Sequence, residues 1–221
     1  SNSDSHSLPR IGREANIFDV DLSYENIIEA IRSRDPKKFV ATIEFFPEEG
    51  KYHFDGHRVC GIVFWHEACK KHKNICPTCN KPLTIGVLNR VEELADRPPF
   101  KTEFKNNSHN FKGRIPFYNA IPLDEVVSKA YGSGVATKKV QDEYVKLIKQ
   151  FGSEFQILME LSAEEMRGKV DEKIIQGIIA IREGKIKFNP PGYDGEYGKM
   201  VFTAPIGKNA GVPSETQKSL F

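Results

Sequence analysis

All four cysteines of the chain, Cys60, Cys69, Cys76 and Cys79, fall within one stretch of twenty residues. Cysteines so crowded suit a metal site better than two disulfides, and a CPTC turn without a secretion signal points the same way. Two turns of equal spacing frame the stretch, His57-x2-Cys60 and Cys76-x2-Cys79, with fifteen residues between them. Two residues between ligands let one tight turn aim both donors at the same ion, and two such turns complete a tetrahedron. Four protein ligands leave no open position, so the zinc expected here is structural and contributes folding energy. A rival set takes all four cysteines, with Cys69 in place of His57. Cys69 sits in the charged, helical-looking segment HEACKKHK, with His66 and His72 three residues to either side. A solvated helix face explains that segment at least as well.

The surroundings of this staple are those of a folded protein. Hydrophobic residues make up 39% and charged residues 28% of the 221, a globular balance with room for one to two domains. No run approaches the roughly 18 apolar residues of a membrane span. A net charge of +2 confines any nucleic-acid surface to a local patch. The chain opens at Ser1 with no apolar signal core, so it reads as a portion of something longer, expected in the cytoplasm.

Along the chain, Ser23 is the expected N-cap of a helix Tyr24–Ser33 whose Ile27, Ile28 and Ile31 share a face, with Pro36 as its stop. The first forty residues read as the end of an α/β unit, and Phe39–Phe46 as a strand. Pro47 to about Pro99 holds every cysteine and four of the six histidines, with few apolar runs, as suits a small metal-stapled module. A basic, turn-rich linker, Lys101–Arg114, follows. Helices are predicted over Leu123–Tyr131, between Pro122 and Gly132, and over Lys138–Phe151, capped by Thr137. Phe155, Ile157, Met159 and Leu161 alternate as in a strand. Ser162-Ala163-Glu164-Glu165 is a capping box, and Asp171 starts a helix bearing Ile174, Ile175, Ile178 and Ile181 that Gly184 ends. NPPGYDGEYGK is a loop, and Gly207–Phe221 is polar enough for a tail.

Near the start stands a weaker signal, Asp4-x-His6, which alone is no more than an exposed turn. Taken together, SNSDSHS…IGREAN, IEFFPEEGKYHFDGHR…C, CPTCNKPLTIGVLNRVEELADRP, FGSEF and PGYDGEYGK, in this order from Ser1 to about Lys199, closely resemble the endonuclease Q family of DNA-repair nucleases. The resemblance implies an α+β chain. Residues 1–37 would be the end of a polymerase-and-histidinol-phosphatase (PHP) type β/α barrel, and 38–100 a small, β-rich zinc module. A mainly helical, DNA-contacting domain would span 101–205, and a flexible tail 206–221. It further implies that Asp4 and His6 are the last ligands of a catalytic metal cluster (Zn, Mg or Mn) whose other ligands lie upstream. It favours His57, Cys60, Cys76 and Cys79 as the zinc set, because DGHR-x-C and CPxC recur in the family whereas a cysteine at the position of Cys69 does not. The chain departs from the family pattern in HEACKKHK and at Asn80, where glycine is common.

The activity implied is nicking of DNA on the 5′ side of a deaminated base, such as uracil, hypoxanthine or xanthine, or of an abasic site. Phosphate grip is expected from Lys101, Lys105, Lys112 and Arg114, interleaved with Phe104, Phe111, Phe117 and Tyr118; a solvated linker anchored by its phenylalanines is the alternative. Arg13 and Arg58 are further phosphate candidates or ion-pair partners. In PGYDGEYGK, Gly192, Gly195 and Gly198 allow close backbone approach, and Tyr193 and Tyr197 offer rings to stack. The terminal QKSLF, with Gln217 and Leu220 in place, resembles the start of a sliding-clamp-binding peptide or is part of a tail. Two other classes compete: a zinc-stapled DNA-binding module with no activity of its own, and a region of a helicase-like protein. No GxxxxGKS phosphate loop is present, which weighs against ATP hydrolysis.

Overall fold

The computed structural model describes residues 2–8, 11–99, 103–105 and 108–203. Strand β1 (Ala15–Phe18) leads to helix α1 (Tyr24–Ser33). There the Ser23 hydroxyl accepts the Asn26 N–H at 3.1 Å, and Arg34 closes the helix in the left-handed conformation. Strand β2 (Phe39–Glu44) ends where Pro47 opens a short 3-10 turn, two residues earlier than the apolar run suggests. The cysteine-rich stretch folds as a hairpin, β3 (Asp55–His57) and β4 (Ile62–Phe64), followed by α2 (His66–Lys71) and α3 (Val87–Leu94).

The segment read as a linker contains structure. Glu103–Lys105 (β5), Ser108–Asn110 (β6) and Phe117–Asn119 (β7) are strands. They join the first two in a five-stranded sheet of order β1-β2-β7-β6-β5, all antiparallel except the β2–β7 pair. β1 and β2 therefore do not form the parallel crossover that an α/β unit contains. The sheet draws strands from three of the segments delimited by sequence.

Helices α4 (Leu123–Tyr131) and α5 (Lys138–Phe151) match their predicted bounds, with Gly132 and Gly152 at positive φ behind them. Thr137 stands at the N-cap position of α5 but does not cap with its side chain: its hydroxyl donates to the Gly134 carbonyl at 2.7 Å. The alternating segment after it is a wide helical turn, Gln156–Glu160, rather than a strand. Ile157 and Leu158 are both buried, and consecutive inward side chains fit a helical turn and not a pleat. The turn's last carbonyls, which no intrahelical N–H can reach, are taken by Arg182. Its Nε, Nη1 and Nη2 donate to Leu158, Leu161 and Ile157 at 2.7, 2.6 and 3.0 Å.

The capping box forms as predicted at α6 (Ala163–Met166), and Asp171 caps α7 (Glu172–Arg182) through the Lys173 N–H. Strands β8 (Ile186–Phe188) and β9 (Met200–Phe202) pair with each other. The chain divides into two compact units, one drawn from Ser1–Ile121 and Lys187–Val201, the other from Pro122–Ile186 and Phe202–Phe221. No helix among the described residues is long and apolar enough to cross a membrane.

Candidate metal centre and nucleic-acid interface

His57 ends β3, and a 3-10 turn over Arg58–Cys60 swings Cys60 back toward it before Gly61 takes φ +65°. The second turn is closed by the Asn80 N–H on the Cys76 carbonyl and the Cys76 N–H on Lys81. Asn80 has φ +58°. Glycine enters that region without strain, and asparagine is among the few other residues that tolerate it, so this departure from the family pattern preserves the turn. The ligand atoms of His57, Cys60, Cys76 and Cys79 all lie within 4.8 Å of one another. A tetrahedral zinc, with bonds of about 2.3 Å to sulfur and about 2.0 Å to nitrogen, sets neighbouring S and N donors about 3.5 Å apart. Cys79 Sγ and His57 Nδ1 are 3.5 Å apart. The donor set fits zinc.

The thiols of the cluster are electrostatically unequal. Burial works against ionisation of Cys76, but the N–H groups of Cys79 and Thr78 and the neighbouring thiols bring it down to about 6. Burial and its cysteine neighbours push Cys60 up to about 11. Cys69 belongs elsewhere. It is fully buried, its thiol donates to Asn74 Oδ1 at 3.3 Å, and burial together with Asp55 pushes it up to about 12. The group of side chains whose ligand atoms gather closely enough to hold one ion takes in His57 and not Cys69. His66, which opens α2, and His72, just past its end, flank it without joining the cluster; His72 stacks on Phe64.

Two carboxylates that sequence reasoning passed over hold this region together. Asp55 is 1% exposed, and its oxygens accept the Gly86 N–H and the Asn89 side-chain amide, both at 2.6 Å. Asp194 reaches back from the PGYDGEYGK loop to accept the Arg58 N–H at 2.7 Å and the Thr84 hydroxyl. Those bonds outweigh burial and draw its carboxyl below the ordinary range. The only sequence signal for this was the DG turn itself; the partners lie far away in the chain.

The glycines of that loop serve close approach to the protein's own backbone. A Cβ on Gly192 would sit 1.9 Å from the Gly50 carbonyl oxygen, and one on Gly198 2.1 Å from that of Glu48. Tyr193 is buried, its ring against Gly56, whereas Tyr197 is exposed with Lys51 Nζ 4.6 Å from its ring centre. Arg58 is exposed and 3.7 Å from Glu196.

Lys112 and Arg114 are exposed in the turn between β6 and β7, and Lys105 closes β5; Lys101 lies outside the described residues, as does the QKSLF segment. The interleaved phenylalanines meet in register. Phe104, His109 and Phe117 stand side by side across β5, β6 and β7, with His109 and Phe117 stacked at 4.5 Å and Phe111 beside Phe117. Arg13 is half-buried ahead of β1, and Tyr118 half-buried on β7. Asp4 and His6 are exposed in the opening segment, and among the described residues neither belongs to a group of three or more potential ligands.

Residues 122–185 match the family described as the MJ0043 C-terminal domain. The chain is 37% identical over 210 residues to an uncharacterized protein of Methanocaldococcus jannaschii, MJ0043, covering 91% of this chain and 25% of that one. It is 30% identical over 205 residues to the uncharacterized protein YqxK of Bacillus subtilis, covering 90% and 46%. Its fold matches the lesion-specific endonuclease PfuEndoQ of Pyrococcus furiosus with a TM-score of 0.74 and 29% identity, over 87% of this chain and 46% of that one. It also matches endonuclease Q in complex with a 27-mer duplex substrate with an abasic lesion at the active site. There the TM-score is 0.75 and the identity 30%, over 95% of this chain and 51% of the other. The chain thus spans about half the length, or less, of the proteins it matches. Over nearly all of its described length it is similar in fold and sequence to part of endonuclease Q, the family to which its motifs pointed.

Proposed function

We propose that the chain is the DNA-gripping portion of a metal-dependent DNA-repair endonuclease that nicks 5′ to deaminated bases (uracil, hypoxanthine, xanthine) or abasic sites. One observation carries this reading: the chain is similar over 95% of its length to endonuclease Q bound to a duplex with an abasic lesion. In this reading residues 1–37 belong to a PHP-type barrel, 38–100 to the zinc module and 101–205 to the DNA-contacting region. Asp4 and His6 hold catalytic ions together with ligands from elsewhere in the longer protein. Such ions, when bound, activate water near neutral pH and stabilise charge on the attacked phosphate. The chain's own basic residues, Arg13, Arg58, Lys101, Lys105, Lys112 and Arg114, grip phosphates without reading sequence. A deaminated or missing base is the easier one to extrude, because its pairing is already poor.

For the chain in isolation, the binding-module reading is favoured by the exposure of Asp4 and His6 and the lack of a third ligand beside them among the described residues. The test separates the two. The full-length protein nicks a uracil- or hypoxanthine-containing duplex with Mg²⁺ or Mn²⁺ and loses that activity on His6→Ala, while the 221-residue chain binds DNA in a salt-dependent way and does not cut. Efficient cleavage by the isolated chain, or an unchanged His6→Ala enzyme, contradicts the assignment.

A further inference from the structure

Beside the zinc cluster the first unit has a cleft of about 270 Å³ whose rim carries Arg58, Val59, Glu196, Tyr197 and Lys199. Val59 is 83% exposed, although it sits in the 3-10 turn between His57 and Cys60. Tyr197, across the cleft, is 55% exposed. An apolar side chain at the tip of a metal-clamped turn, offered to water between cationic neighbours, is a poor arrangement for solubility and a good one for a wedge. Both walls are fixed. The turn is held by its ligands and by Asp194 on the Arg58 N–H. The opposite loop is held by the Gly192, Gly195 and Gly198 N–H groups on the carbonyls of Glu48, Lys51 and Glu49.

Charge selects the ligand. Arg58, Lys199 and the Lys51 ammonium over the Tyr197 ring stand against two acids, Glu196, which meets Arg58 only loosely at 3.7 Å, and Asp194, whose oxygens are taken up by the Arg58 N–H and the Thr84 hydroxyl. The site therefore attracts an anion with an apolar or aromatic neighbour. Its volume falls at or below the roughly 300 Å³ lower end of ligand-sized pockets. It suits a sugar-phosphate, with the attached base left outside on an exposed ring.

Resting on the DNA-binding reading above, we propose that this cleft seats one nucleotide of a DNA strand. Its phosphate lies between Arg58 and Lys199, its base stacks on Tyr197, and Val59 enters the neighbouring base step. Apolar wedges of this kind unstack and kink a duplex, and stacking on an aromatic ring tolerates any base.

The zinc-loaded 221-residue chain is titrated into a short duplex bearing a central abasic site with 2-aminopurine beside it, following anisotropy and 2-aminopurine fluorescence at several salt concentrations. Arg58→Ala is expected to lower the salt slope by about 0.9. Tyr197→Ala is expected to weaken binding about tenfold with the slope unchanged, and Val59→Ser to abolish most of the 2-aminopurine response with a smaller loss of affinity. Zinc content and far-ultraviolet dichroism identify any variant that fails to fold; Val59→Ala and Tyr197→Ser then replace it. Wild-type binding that all three variants reproduce overturns this site and leaves the DNA-binding reading intact. A wild-type chain that binds no duplex overturns both.

Discussion

Between Pro47 and Pro99 the buried apolar side chains are Phe54, Cys69, Cys76 and Leu83. The helical unit buries Leu123, Val126, Val127, Val140, Leu147, Ile157, Met166, Ile174, Ile175 and Ile178, among others. Each fully buried aliphatic side chain contributes about 1.5–3 kcal/mol, so the helical unit sets far more apolar packing against its chain entropy than the cysteine-rich segment does. The segment's cohesion comes from directed bonds instead: the metal ligands, the Asp55 carboxylate with Gly86 and Asn89, and the Asp194 carboxylate with Arg58 and Thr84. Directed bonds hold a surface in a fixed shape with little core beneath it, which is what an exposed turn such as Arg58–Cys60 requires.

Metal removal should break this contrast most severely. Structural zinc is worth about 10–16 kcal/mol of folding free energy in small modules, more than the few buried side chains of the segment supply. Chelation, or Cys76→Ser, should unfold the cysteine-rich segment and leave the helical unit folded. Trp65, the chain's single tryptophan, lies in that segment, 58% exposed but with its ring edge-on to Phe54 at 4.8 Å, so its emission intensity should change as that contact is lost while most of the helical dichroism persists. Cys69→Ser should keep its zinc. Loss of the ion in that variant would restore the all-cysteine ligand set.

The complementary change is Ile178→Ala. Ile178 is 1% exposed in α7, and its truncation should lower helical-unit stability by about 2–5 kcal/mol. Chemical denaturation followed at 222 nm measures the loss, with zinc content and Trp65 emission unchanged in native buffer. A Trp65 response there would mean that the two regions do not hold together independently.

The helical half was readable because its signals are local. Apolar residues at helical spacing, Pro122 before a helix, Gly132, Gly152 and Gly184 after helices and the Ser162–Glu165 box each act within a turn or two. The residues that could hold a metal ion were readable for the same reason: each pair sits in one turn, and the structure groups His57 rather than Cys69 with Cys60, Cys76 and Cys79. What escaped depends on distant partners. The Gln156–Glu160 turn alternates like a strand until Arg182, more than twenty residues on, takes its carbonyls. Strands β5 and β6 are three residues each and owe their existence to pairing beside β7. The roles of Asp55 and Asp194 require a fold that brings β3 to Gly86 and the late loop to Arg58.

The capping box offers the finest test, because it is a directed-bond device inside the packed half. The Ser162 N–H donates to Glu165 Oε2 at 2.8 Å, and the Ser162 hydroxyl accepts the Glu165 N–H at 3.3 Å. The bonds to the Ser162 backbone and side chain, with Lys169 adding a smaller pull, draw the Glu165 carboxyl below the usual glutamate range. A carboxyl lowered on folding stabilises the fold above its unfolded pKa of about 4.3, and that contribution disappears as the pH falls through the folded value. Above about pH 5 the box is therefore intact; further acidification should open it, with less protection of the Ser162 amide relative to its intrinsic exchange rate. Glutamine keeps an acceptor at this position without a charge, so Glu165→Gln should retain the bond and lose its pH dependence. Side-chain carboxyl shifts followed by NMR between pH 6 and about pH 3 measure the midpoint directly. A Glu165 that titrates at the ordinary glutamate value would mean that the box does not hold in solution, and that packing alone governs the helical half.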